Sequence, residues 1–160
     1  YTGFNGIVYA GPTNASRLTI TIVQGPVIQV TKTSFVTNTA SYIALGGGGN
    51  DFAPGAEVIF AISWTNSGSG TAYGLTFSDD LDSNLEYVAN SLKYVDNARQ
   101  AATPVNYNAA ASLSDANDNE DLGAYSVDGW TNAGGQIRFD YGAAIPGGAS
   151  GTLFFKAVVK

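Results

Sequence analysis

The sequence predicts an all-β protein of short strands joined by turns, and three observations carry that expectation. Apolar residues recur with period two, most clearly where Val58, Phe60, Ile62 and Trp64 alternate with Ile59, Ala61 and Ser63. That is the pattern of a pleated strand with one buried face. Turn-forming residues punctuate the chain at short intervals, with 20 Gly and 5 Pro among 160 residues. No window shows sustained helical periodicity between capping residues, so little helix is expected. One domain is the default at this length, which is enough to bury a core.

Near the start, Asn5-Gly6 is a turn signal beside a short apolar run ending at Tyr9. After Gly11-Pro12-Thr13-Asn14, residues Arg17 to Val23 alternate, with Leu18, Ile20 and Ile22 on one face. Gly25-Pro26 breaks that strand before a second one opens at Ile28. Thr33 to Phe52 reads as loop, with a short strand expected over Ser41 to Leu45. The glycine run Gly46 to Gly49 lacks a following Gly-Lys-Ser/Thr, so it is a surface loop rather than a phosphate loop.

After the strand ending at Trp64 and the turn at Gly68 and Gly70, Leu75 and Phe77 continue the alternation. An acidic corner (Asp79, Asp80, Asp82) separates them from Leu85 and Tyr87. Further strands are expected at Ser91 to Val95, Tyr125 to Val127, Gln136 to Tyr141 and Thr152 to Val159. The last two place Ile137, Phe139, Tyr141, Leu153, Phe155, Ala157 and Val159 inward.

Two strands are apolar on their outward face as well: Ile59 and Ala61 on one, Phe154 and Val158 on the other. Such strands are covered on both sides or meet a partner. A doubly apolar last strand left at a sheet edge would aggregate unless something paired with it or covered it. The strand at Leu18, Ile20 and Ile22 is the natural candidate, so these three residues with Phe154 and Val158 form the expected assembly set.

The stretch from Pro54 to Val88, PGAEVIFAISWTNSGSGTAYGLTFSDDLDSNLEYV, resembles the family known as the conserved-repeat domain of unknown function eleven. Ile28 to Thr33, Ser114 to Asp118, Gly123 to Tyr125 and Pro146 to Leu153 resemble the family's opening strand and closing half. The resemblance covers residues 28–160. It implies an immunoglobulin-like antiparallel β-sandwich of the kind found in extracellular modules of prokaryotic surface proteins. Residues 1–27 then stand apart as an extra N-terminal strand arm, which either extends this subunit's own sandwich or pairs with a neighbour. The family has no shared activity that would carry over.

A net charge of −6 without any basic run argues against nucleic acid, which needs clustered Lys and Arg. With no His and no Cys, nucleophile–base pairs and zinc, copper or iron sites lose their usual residues. Only three glutamates, Glu57, Glu86 and Glu120, are present for paired-carboxylate chemistry. Glu57 and Glu86 have outward parity, where carboxylates face solvent. The chain is therefore expected to be non-enzymatic, with no required cofactor.

Calcium is the one cation that the residue types suit. Asp115, Asn117, Asp118, Asn119 and Asp121 supply alternating oxygen ligands in a loop, although not in an EF-hand pattern. Asp79, Asp80 and Asp82 form a second acidic corner. Against both stands the use of Asp and Asn as turn formers. Asn14-Ala15-Ser16 is a glycosylation sequon. Lys32 and Lys156, on the first and last sandwich strands, are candidates for an internal amide bond to Asn or Asp.

The chain begins at Tyr1 with no Met, as removal of a signal peptide would leave it, and no stretch has the length and hydropathy of a membrane-spanning helix. The expected setting is secreted, extracellular or cell-surface, without membrane insertion. Two functional expectations follow. One is a structural subunit of a filament, pilus-like fibre or surface layer, in which the arm adds as a strand to the next copy, giving a homopolymer. The other is a monomeric adhesive module that stacks a cell-surface glycan on Tyr73, Tyr107 or Trp130.

Overall fold

The computed structural model describes residues 25–117, 127–131 and 136–160. Leu18, Ile20, Ile22 and Asn14 lie outside these residues. Strands dominate, in the order β1 (Ile28–Thr37), β2 (Glu57–Asn66), β3 (Thr76–Asp80), β4 (Leu85–Tyr87), β5 (Lys93–Asp96), β6 (Ala111–Ser112), β7 (Val127–Thr131), β8 (Gln136–Tyr141) and β9 (Ser150–Val159). Helices α1 (Ala40–Ala44) and α2 (Pro104–Ala109) are one short stretch each.

Every strand pairing among the described residues is antiparallel. The larger sheet runs β1-β2-β9-β5-β6, with β4 beside the far end of β9, and the smaller runs β3-β8-β7. Inward residues of both sheets share one core. Val58, Phe60, Ile62, Trp64, Leu153 and Phe155 of the larger sheet meet Phe77, Ile137, Phe139 and Tyr141 of the smaller. This is the sandwich that the alternation predicts, with each of those parities as expected. In constant-type immunoglobulin sandwiches a mid-chain strand lies beside the second one; here that place is taken by the last strand, β9.

Aromatic packing sets the core's geometry. The Phe60 and Phe155 rings stack with centroids 4.9 Å apart. Trp64 meets Tyr141 edge-on at 5.2 Å, and its indole N–H donates to the Tyr141 hydroxyl at 2.6 Å. Gly151 stands opposite Trp64 in the β2–β9 register. A Cβ there would come within 2.9 Å of the indole and 2.8 Å of the Tyr94 hydroxyl. Glycine is what lets the tryptophan lie across β9.

The two ends of the sandwich differ. At one end, Gly25 to Val27 pack against the β2–β3 turn so closely that a Cβ on Gly68 would sit 2.0 Å from the Gly25 carbonyl. Fully buried Asn66 pins that end. Its Oδ1 accepts from the backbone of Val27 and Gly68, and its Nδ2 donates to the carbonyls of Gly70 and Ile145. This is the arm pole, where the N-terminal segment joins the body. At the opposite, far pole, the Gly55 amide donates to the Val159 carbonyl and the Lys160 amide to the Asn84 carbonyl.

Three expectations fail. Thr33 to Thr37 is not loop but the second half of β1, paired with β2 from Ala61 to Glu57. Ser41 to Leu45 is not a strand: Thr39 caps a helical turn over Ala40–Ala44, its side chain accepting from the Tyr42 amide at 3.3 Å. Four apolar or aromatic residues among five carry no periodicity that separates strand from helix, and the cap decides. Nor is the last strand an edge. β9 lies between β2 on one side and β4 and β5 on the other.

Candidate functional site

The outward face of β2 and β9 is covered by this chain's own residues 98–110. Three hydroxyls on that face hold the covering segment down. Thr33 Oγ1 accepts from the Ala102 amide at 2.9 Å, Ser63 Oγ donates to the Gln100 carbonyl at 2.6 Å, and Thr152 Oγ1 donates to the Ala98 carbonyl at 2.8 Å. Helix α2, capped by Thr103, then lays Tyr107 over Phe154. Ile59, Ala61, Ala102, Tyr107, Ala110 and Phe154 make a second, smaller core. Of the expected assembly residues, Phe154 is fully buried there, while Val158 is part-buried opposite Glu57 and Glu86.

Tyr107, expected as an exposed stacking platform, is 6% exposed. Its hydroxyl donates to the Ser91 carbonyl at 3.1 Å, and Lys93 and Lys156 place their ammonium groups 4.6 and 4.7 Å from its ring centre. Burial, with the Glu57 and Asp115 charges added, pushes its phenol up to about 12. Tyr73 is the one fully described exposed aromatic of the expected three. Trp130 belongs to β7, and its side chain lies outside the described set.

Of the candidate calcium ligands, Asp115 and Asn117 are described, and Asp118, Asn119 and Asp121 are not. Both Asp115 oxygens are engaged: Oδ1 accepts from the Tyr87 hydroxyl at 2.8 Å and Oδ2 from the Asn90 amide at 2.6 Å. This carboxylate ties the loop to β4, and burial raises the Tyr87 phenol well above its ordinary value. The acidic corner does not converge either. Asp79 faces Lys32, Asp80 accepts from Gln136 at 2.7 Å, and Asp82 accepts from Asn84 at 2.8 Å. Among the described residues no three acidic, His or Cys side chains gather as a metal-binding group.

The two lysines singled out by position both form ion pairs. Lys156 Nζ lies 2.8 Å from Glu57 Oε1 on the outer face. Lys32 points inward from β1 to Asp79 of β3, with its ammonium 4.6 Å above the Phe60 ring. The glycine run is tied down by groups the sequence reading passed over. Asp51 accepts from the Tyr42 hydroxyl at 2.7 Å and the Gly48 amide at 2.9 Å. Those bonds hold the Asp51 carboxyl below its usual value and the Tyr42 phenol above.

What the described residues leave open is backbone edge. β1 pairs with β2 on one side over all ten of its residues, and β3 and β7 each pair only with β8. Along β1 the inward positions Val30, Lys32 and Ser34 are exposed, Val30 by 51%. The smaller sheet therefore stops short of covering β1. At the far pole a groove of about 560 Å³ is lined by Phe52, Pro54, Phe60, Leu85 and Val159, together with the polar Asp82, Asn84 and Lys160. No described helix is long and apolar enough to cross a membrane.

No protein-family model, curated protein or solved structure matches the chain. The family resemblance of residues 28–160 thus rests on the motifs quoted from the sequence.

Proposed function

We propose that the chain is a non-enzymatic structural subunit of an extracellular filament, pilus-like fibre or surface layer, assembled by β-strand addition between copies. The observation that carries this reading is the pair of features at the molecule's margins. Long strand edges, β1 above all, stand unpaired among the described residues, and residues 17–23 ahead of them alternate as a strand does. An exposed edge pairs readily with another chain, and main-chain hydrogen bonds supply the affinity of such contacts. The immunoglobulin-like class and the secreted setting belong to the same proposal.

Light scattering tests it. The full chain should form concentration-dependent polymers, whereas a chain of residues 25–160 should stay a folded monomer. A full chain that remains monomeric at all concentrations overturns the reading. Asn66 already holds the new terminus of the shortened chain at Val27, so folding of that control is expected and is checked by its melt.

A further inference from the structure

We propose that the far-pole groove is the entry port for the arm of a second copy, and that residues 17–23 of that copy run from it along the open edge of β3, parallel to β3. The inference rests on the strand-addition reading and adds the acceptor site and the sense of pairing.

Strand directions decide the sense. Among the described residues, the three edges longer than three residues all run from the arm pole toward the far pole. β1 starts opposite Asn66 and ends opposite Glu57, β3 runs from Thr76 to Asp80, and β7 from opposite Tyr141 to opposite Ile137. β1 alone spans roughly 33 Å at about 3.3 Å per residue. The arm joins its body at the arm pole, where Gly25 is locked against Gly68. Only Gln24 separates Val23 from that anchor, so Val23 stays close to its own body's arm pole. An arm folded back on its own body, or exchanged between two copies meeting arm pole to arm pole, would run antiparallel to each of these edges. An arm delivered by a neighbour stacked head to tail enters at the far pole and runs parallel to them.

The groove selects between these arrangements. Phe52 is 55% exposed beside Pro54, Leu85 and Val159, an apolar surface at the pole opposite the anchor. Head-to-tail stacking covers it with the next copy's Val23 and Pro26; in the other two arrangements neither of those residues reaches it. β3 is chosen over β1 because of the arm's two faces. A strand added beside β3 lies beneath β1, so Leu18, Ile20 and Ile22 would cover the exposed inward positions, Val30 among them, while Thr19 and Thr21 face out. Beside β1 no described strand lies opposite to bury that apolar face. Repetition of this contact does not close, so it yields a fibre.

The chain has no cysteine, so engineered pairs report without background. Full-length Val23→Cys is mixed with full-length Ser83→Cys at the far pole or with Thr76→Cys near the arm pole, then oxidised and run on a non-reducing gel. A cross-linked dimer with Ser83→Cys, and at least tenfold less with Thr76→Cys, is expected. Predominant linkage to Thr76→Cys means antiparallel pairing and overturns the proposal. Polymers by light scattering with neither linkage overturn the docking site and leave strand addition standing; a chain that never polymerises overturns both. Phe52→Asp should abolish polymer while leaving the monomer's melt unchanged, and native-like polymer from it removes the groove from the contact.

Discussion

β1 and β9 are both ten residues long and both flank β2 in perfect register, yet their surroundings have little in common. β9 is buried on both faces, by the opposite sheet on one side and by residues 98–110 on the other. β1 has one buried residue, Val36. Equal length and a shared partner strand thus give no measure of how much a strand contributes to stability. Contribution follows from what distant segments place on the second face, and the edge that receives no cover is the surface left for another chain.

The largest test of that contrast is Phe154→Ala in β9, expected to cost about 3–5 kcal/mol through lost burial and a cavity in the second core. Urea unfolding would measure it; a cost under 1 kcal/mol would mean that residues 98–110 do not seal that face. Tyr107→Ala removes the lid rather than the floor and should cost about 2–4 kcal/mol, read the same way.

Alkali should act on the buried side alone. Tyr107, raised to about 12, and Tyr87, Tyr94 and Tyr141, raised mainly by burial, keep their protons in the fold. The unfolded chain loses them near pH 10, so it binds fewer protons than the native state above that pH. Stability is then full below about pH 10 and falls above it, for Tyr107 up to about pH 12, with a slope of about 1.4 kcal/mol per pH unit for each such tyrosine. Melting temperatures flat from pH 7 to 9 and falling steeply beyond 10 are expected. An unchanged melt at pH 11 would show these phenols to be solvated.

Tyr107→Phe isolates the hydroxyl bond to Ser91 and should cost about 1 kcal/mol. On β1, Val30→Ala should change monomer stability by less than about 0.5 kcal/mol, and Lys32→Met, which removes a half-exposed ion pair, by at most about 1 kcal/mol. A loss above 2 kcal/mol at either position would mean that β1 is covered as β9 is.

Much of the sandwich was legible locally because a pleated strand writes its inner face into every second residue. Ile137, Phe139 and Tyr141 pointed inward as read, and so did Val58, Phe60, Ile62 and Trp64. The apolar outward face of β2 and β9 was legible too, but its meaning was not. The threonine and serine hydroxyls that hold the cover, Thr33, Ser63 and Thr152, are ordinary strand residues until residues 98–102 are brought onto them. Tyr107 in an alanine-rich connection likewise gave no sign of burial. For Asp115, the Tyr87 and Asn90 donors come from β4 and the turn after it, so the bonds that engage its carboxylate were not legible in the acidic run itself.

The sequence by itself determined strand parity, the turns, the absence of His and Cys, and the acid balance, because each is a property of neighbours along the chain. Only the tertiary structure decided that the last strand lies in the middle, that its second face is closed from within, and that the longer open edges among the described residues run away from the pole where Gly25 is anchored. Those depend on which strands pair across tens of residues, and period two is silent about partners: every register that buries the same face satisfies it equally.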